Sequence, residues 1–198
     1  MTPRDESLKA ALRTGAMVHL RFPFASDEAA YESLRAESGE FLTKWEPRPP
    51  DSDQSAFERL LETANTARSR RMVVVLNETA EIAGQVSLNE IIRGPLQQCF
   101  LGYWTGKRFA RWGIMTEAIP LALQEAFFTL GLARVEANIQ PHNQASIGLI
   151  EKLGFRREGY SPKYLQIDGE RVDHVRYAML AEEFADRFPS LAWKHPKT

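Results

Sequence analysis

One cysteine, Cys99, in 198 residues excludes an intramolecular disulfide and any zinc site built on several thiolates. An excess of charge of one sign is missing as well: 25 Lys and Arg stand against 26 Asp and Glu. That balance argues against a nucleic-acid binder relying on general positive charge, though a local basic patch stays open. No apolar run approaches the roughly 18 residues of a membrane span. The opening MTPRDESLKAALRTG is polar and charged and has no apolar run of signal-peptide length, which makes a cytoplasmic location the expectation. Four scattered histidines show no metal spacing, so no metal is expected. There is no internal repeat.

What remains is the composition of an ordinary globule, long enough for one domain with a proper core. Residues 1–15 read as a flexible N-terminal arm, 16–186 as the domain and 187–198 as a C-terminal tail. MVHLRFPF predicts a first strand, Met17 to Phe22, followed by a helix capped by Ser26 or Asp27. EPRPPDSD, Glu46 to Asp53, is a Pro-rich loop, and a helix is expected from Ser55 to about Ala67. Val73 to Leu76 and Ile82 to Leu88 read as a hairpin, with Gly84 marking a bulge or a close backbone approach. Cys99 to Trp104 is the next strand. A long amphipathic helix is expected from Gly113 to Leu130, with Pro120 breaking the rule against interior proline. ARVEANI is another strand, Asn143 caps a short helix ended by Gly154, and a hairpin around IDGE closes the domain. Strands before and after helices predict a mixed α/β sheet.

Two stretches carry chemistry. In GKRFARWGIMTE, a strand enters the long helix through a basic turn. Backbone N–H groups at such a helix start, with Lys107, Arg108 and Arg111 as charge-assisted donors, suit a phosphate. A solvated basic turn is the plain alternative. In IQPHNQASIGLIEKLGFRREGY, Asn143 offers a carboxamide that donates and accepts together, which suits an amide-containing ligand. Helix capping by Asn143 and Ser146 is the plain alternative there.

The run Phe100 to Tyr160 resembles the GCN5-related N-acetyltransferases, which use acetyl-coenzyme A. The first motif carries Gly113 and Met115 where the family pattern allows them. Ala110 stands where Gln or Arg is usual, and Arg111 where Gly is common. The second motif matches at Asn143, Ser146, Gly154 and Phe155. The resemblance implies an α/β (α+β) acyl-CoA N-acyltransferase fold: a single domain with a mixed, mostly antiparallel sheet flanked by helices. It also implies cofactor contacts from Phe100, Leu101, Gly102, Lys107, Arg108, Arg111, Trp112, Gly113, Ile114, Met115, Thr116, Asn138, Asn143 and Ser146. The strand Phe100 to Trp104 would be splayed from ARVEANI, with the coenzyme amides on its open backbone.

FL…WEP (Gly39 to Pro47), IIRGPLQQCFLGYW and YSPKYLQIDGERVDHVRYAML resemble the branch that acetylates ribosomal-protein N-termini. This implies an acceptor α-amine on a protein, reached by direct transfer. Ser146, Tyr164 and Glu46 are the catalytic candidates: Ser146 or Tyr164 to reprotonate the thiolate, Glu46 to hold the ammonium or help deprotonate it. Trp45, Tyr103 and Tyr160 are expected to line the acceptor end. Glu90, His142 and the Asp173–His174 pair are further options for the proton path. The alternatives are acetylation of a small amine, or a non-catalytic coenzyme-binding module, which the altered turn at Ala110 and Arg111 favours. No direct nucleic-acid or membrane partner is expected, and the chain is read as a monomer or dimer.

Overall fold

A computed structural model describes residues 2–47, 53–167 and 169–191. Its strands form one sheet in the order β1 (Arg13–Thr14), β2 (Val18–Arg21), β3 (Arg70–Leu76), β4 (Ile82–Ile92), β5 (Gln98–Thr105), β6 (Arg134–Ile139), β8 (Glu170–Leu180) and β7 (Arg156–Ile167). Among the described residues only β5 and β6 run parallel. The chain between them returns through α5 (Ile114–Gln124), the crossover that a parallel pair requires. The mixed, mostly antiparallel sheet flanked by helices agrees with the sequence reading.

Opposed residues on paired strands share a face, and alternate residues change face. One face carries Gln85, Ser87, Gly102 and Trp104. Against it lies α2 (Glu28–Glu37), whose Tyr31 donates to Gln85 Oε1 at 2.7 Å and meets the Trp104 ring edge-on at 5.5 Å. α4 (Ala56–Thr63) packs beside α2; its N-terminus is closed by a capping box from Ser55 and Glu58. The opposite face carries Gly84, Val86 and Tyr103 and receives α5 and α6 (Gln144–Leu153). Gly84 proves to be both a close approach and a neighbour of a bulge. A Cβ there would stand 2.2 Å from the Trp104 carbonyl, and the β3–β4 register shifts between Val74 and Val75.

Three segments differ from the sequence reading. Residues 3–14 are tied down instead of forming a loose arm. α1 (Pro3–Lys9) has a capping box at Thr2, Ser7 is buried between His19 and Arg21, and β1 pairs with β2. The long helix keeps α geometry only to Gln124. Glu125–Thr129 form a π turn in which Leu130 donates to the Glu125 carbonyl at 3.0 Å. A π turn inserts a residue without breaking the apolar pattern, so periodicity cannot reveal it. α3 (Gly39–Thr43) and α7 (Ala181–Arg187) were not anticipated; α7 buries Phe184 against Phe127 and Phe188. Part of the Pro-rich loop (48–52), Asp168 of the IDGE turn and 192–198 of the expected tail lie outside the described residues.

Two buried histidines make stability depend on pH. His19 contacts Ser7 Oγ at 2.8 Å and Asn77 Oδ1 at 2.9 Å, and His174 is buried on β8 of the final hairpin. Burial holds both imidazoles below the ordinary histidine range. The unfolded chain therefore takes up protons first as pH falls through about 6.5, and the fold loses stability below that value. Melting temperature is expected to be flat above about pH 7 and to fall towards pH 5.5, less steeply in His19→Asn. A flat profile across the window would contradict this.

Candidate active site

The site begins as an interruption of the sheet. β5 and β6 pair at Gln98–Arg134, Cys99–Val135 and Phe100–Glu136, and the pairing stops there. β5 continues to Thr105 along β4, and β6 continues to Ile139 along β8. Leu101 to Thr105 thus present one backbone edge with no strand partner among the described residues. Interior N–H and C=O groups require partners, so such an edge is suited to a ligand with amides of its own. Phe100 marks the apex of the gap, and Gly102 lies on its edge beside Asn89.

On the α5 and α6 face, the basic turn leads into α5. Gly113, the N-cap, has φ +84° and no side-chain cap, leaving the first-turn N–H groups open. Arg111 holds φ +69°, the left-handed conformation that glycine favours. The backbone shape expected of Gly is therefore kept despite Arg, at a strain of roughly 1–2 kcal/mol. Ile114 and Met115 are buried in the core, so only their backbone can face a ligand. Lys107, Arg111 and Trp112 are exposed at the turn. Arg108 is already bridged to Glu37 at 3.4 Å and Glu81 at 3.2 Å; exposed pairs of this kind are weak enough to exchange. A groove of about 560 Å³ lies beside Gly113, lined in part by Thr116, Met17, Pro120 and Lys152.

Asn143 caps α6 by accepting from the Ser146 N–H at 3.2 Å, which leaves its Nδ2 group for a ligand. Ser146 Oγ meets Tyr103 Oη at 2.5 Å. Tyr103 was expected at the acceptor end; strand alternation places it instead on the α6 face, where it reaches Ser146 from the open strand. Burial pushes its phenol up to about 12, against the pull of the serine bond. Burial likewise pushes the Cys99 thiol up to about 12, and Cys99 is fully enclosed. It offers no thiolate at neutral pH, which disfavours an acyl-cysteine route.

The other face is built from α2, α3, the WEP segment and the final hairpin. Glu46 binds Arg35 at 2.6 Å, and that guanidinium lies 5.1 Å over the Trp104 ring. Its charge is therefore already paired. Trp45 stacks on His142 at 5.2 Å, and Gln140 donates to the Lys44 carbonyl at 3.2 Å, so the WEP segment closes against the loop before α6. Tyr164 sits in a bulge of β7 where register shifts between Ser161 and Leu165. Asp173 holds that bulge by accepting from the Lys163 N–H at 2.8 Å and from the Tyr160 hydroxyl. His174 instead contacts the Val172 carbonyl at 3.1 Å, so no Asp–His relay forms. Adjacent strand residues point to opposite faces, which explains the separation. Tyr164 accepts from Asn138 Nδ2 at 3.2 Å and stacks near His174. Burial first, and then the charge of Glu136, raise its phenol. Glu90 is exposed and paired with Arg68.

The open strand edge, the uncapped helix start beyond it and the Asn-capped helix across it lie together at one site. The acetyltransferase (GNAT) domain model matches residues 18–156. The chain belongs to the GNAT acetyltransferase family. It is 32% identical over 187 residues to the [ribosomal protein uS5]-alanine N-acetyltransferase of Escherichia coli (strain K12), covering 91% of this chain and 96% of that one. Mycobacterium smegmatis RimJ, solved in complex with CoA-disulfide, superposes with a TM-score of 0.77 at 28% identity, covering 87% and 88% of the two chains. The ribosomal-protein-S5-alanine acetyltransferase of Vibrio fischeri gives 0.75 at 26%, covering 86% and 97%. The protein is thus an acetyl-CoA-dependent N-acetyltransferase. Among the described residues no helix of this acetyltransferase is long and apolar enough to cross a membrane.

Sequence reasoning missed the Tyr103–Ser146 pair, the Arg35–Glu46 pair and the Asp173 clasp. Alternation along FLGYW gives the face of Tyr103. Nothing local signals the other two.

Proposed function

We propose that this acetyltransferase moves acetyl from acetyl-coenzyme A directly to the α-amine of a protein N-terminus, with a ribosomal protein as the acceptor class and the cytoplasm as its location. The observation that carries the reading is the gap in the sheet. It opens to the α5 start on one face and to the WEP segment and final hairpin on the other. Two substrates can then meet from opposite sides. The acceptor class rests on the likeness to the uS5-alanine enzyme over nearly its whole length.

The residues present fit coenzyme A. The helix start with Lys107 and Arg111 would hold its pyrophosphate, joined by Arg108 on leaving its carboxylates; Asn143 Nδ2 and the open edge of β5 would hold the amides of its arm. When bound, acetyl-coenzyme A supplies an acetyl thioester. N–H groups on the β5 edge polarise its carbonyl. The acceptor amine gives up one proton as the amide forms, and the coenzyme sulfur gains one as the thioester breaks. The protein therefore only relays a proton. An α-amine has a pKa near 8, so modest help suffices. Ser146 donates a hydrogen bond to the departing sulfur, and Tyr103, protonated at neutral pH, supports Ser146. Glu46 and Arg35 act together to shape the acceptor side.

The test uses two peptides of one sequence beginning with Ala, one free and one N-terminally blocked, each containing a lysine. Thiol release is followed and the products are mapped by mass. Acetyl is expected on the α-amine of the free peptide alone. Acetyl on lysine in both would overturn the α-amine assignment. Turnover of a small amine only would favour that acceptor class, and coenzyme binding with no turnover would favour a non-catalytic module.

A further inference from the structure

One buried polar atom on the acceptor side has no partner. Asn138 lies on β6, two residues beyond Glu136, where pairing with β5 has ended. Its register partner on β8 is Arg176, which puts it on the face of His174 and Tyr164 and opposite that of Ser146. Its Nδ2 group donates to Tyr164 Oη at 3.2 Å, which fixes the carboxamide. Its Oδ1 atom is buried and meets no donor among the described residues. A buried carbonyl oxygen left unpaired is costly, and a ligand N–H removes the cost.

We propose that Asn138 Oδ1 receives an N–H of the acceptor amine and orients it at the gap, resting on the transfer reading above. The sequence resemblance assigns Asn138 to the coenzyme; its face assigns it to the amine. A neutral carboxamide suits the task. It positions the nitrogen while stabilising the ammonium far less than a carboxylate would, so the lone pair needed for attack is more readily freed. Glu46, the sequence candidate for this role, is held by Arg35 and does not compete. The bulge that Asp173 clasps places Tyr164, and Tyr164 in turn aims Asn138.

The experiment compares wild type, Asn138→Ala and Asn138→Asp on whichever amine the wild type acetylates. Coenzyme A affinity is measured by calorimetry and folding by thermal melting. Asn138→Ala is expected to raise the KM of the amine about 10- to 100-fold, with coenzyme Kd unchanged within about twofold. Asn138→Asp is expected to lower the KM and the kcat together, and to move the ascending limb of the kcat profile to higher pH, because a carboxylate holds the bound amine in its ammonium form. A rise in coenzyme Kd for the Ala variant at constant amine KM would return Asn138 to the cofactor and overturn the proposal. So would an Asp variant with an unmoved pH limb. Wild type acetylating only a small amine would sink the protein-acceptor reading while leaving the Asn138 prediction to be met on that amine. Wild type acetylating no amine would sink both.

Discussion

Ser146→Ala is expected to lower kcat by about 100-fold while coenzyme A affinity stays within about twofold. Ser146 stands at the start of α6 with its hydroxyl held by Tyr103, and its backbone N–H already satisfies the Asn143 cap. Removing the hydroxyl leaves the cap and the helix intact, so the loss falls on the breaking of the thioester. Tyr103→Phe alone is expected to cost about 10-fold. The double variant should cost little more than Ser146→Ala, because the phenol acts through the serine and coupled residues are not additive. Steady-state kinetics with calorimetric Kd values checks this. Fully additive losses would place the two hydroxyls in separate roles, and an unchanged kcat for Ser146→Ala would remove it from the mechanism.

Gly113→Val is expected to weaken coenzyme A binding about 10- to 100-fold. Gly113 holds φ +84° immediately after Arg111 and Trp112, and Arg111 is itself at φ +69°. A β-branched residue is a genuine outlier in that conformation. The turn would relax and swing the open N–H groups of the first helical turn away from a common point. Calorimetry with coenzyme A and with a truncation lacking the pyrophosphate separates this from a general loss. The two ligands should differ in affinity for the wild type and hardly at all for the variant. Equal weakening of both would place the pyrophosphate elsewhere.

Much of this was legible from residue order, for reasons that particular elements show. The strand Val73 to Leu76 and the cap at Asn143 are local signals, strong β-branched content and a side chain that reaches its own helix, and both appear where expected. The basic turn likewise lies at the start of α5. The gap itself was legible only through resemblance, because nothing in FLGYW or ARVEANI alone says that pairing stops at Phe100. Ser146 and Tyr103 are joined across 43 positions, and Asp173 holds a bulge on the neighbouring strand. Such contacts depend on register, which one bulge can shift. Glu46 reads in the sequence as a group for the acceptor amine and Arg108 as a phosphate donor, yet both are ion-paired in the fold; partners distant in sequence leave no trace in spacing.

In the proposed reaction two substrates meet through the sheet between β5 and β6. The most direct measurement is a crystal structure with a bisubstrate compound in which coenzyme A is joined through its acetyl carbon to the α-nitrogen of an Ala-first peptide. The pyrophosphate should lie at Gly113, the arm should pass along Leu101 to Thr105, the sulfur should meet Ser146, and the peptide nitrogen should emerge on the face of Asn138 and Tyr164. A coenzyme arm lying outside the gap, or a peptide leaving on the same face as the pyrophosphate, would contradict it.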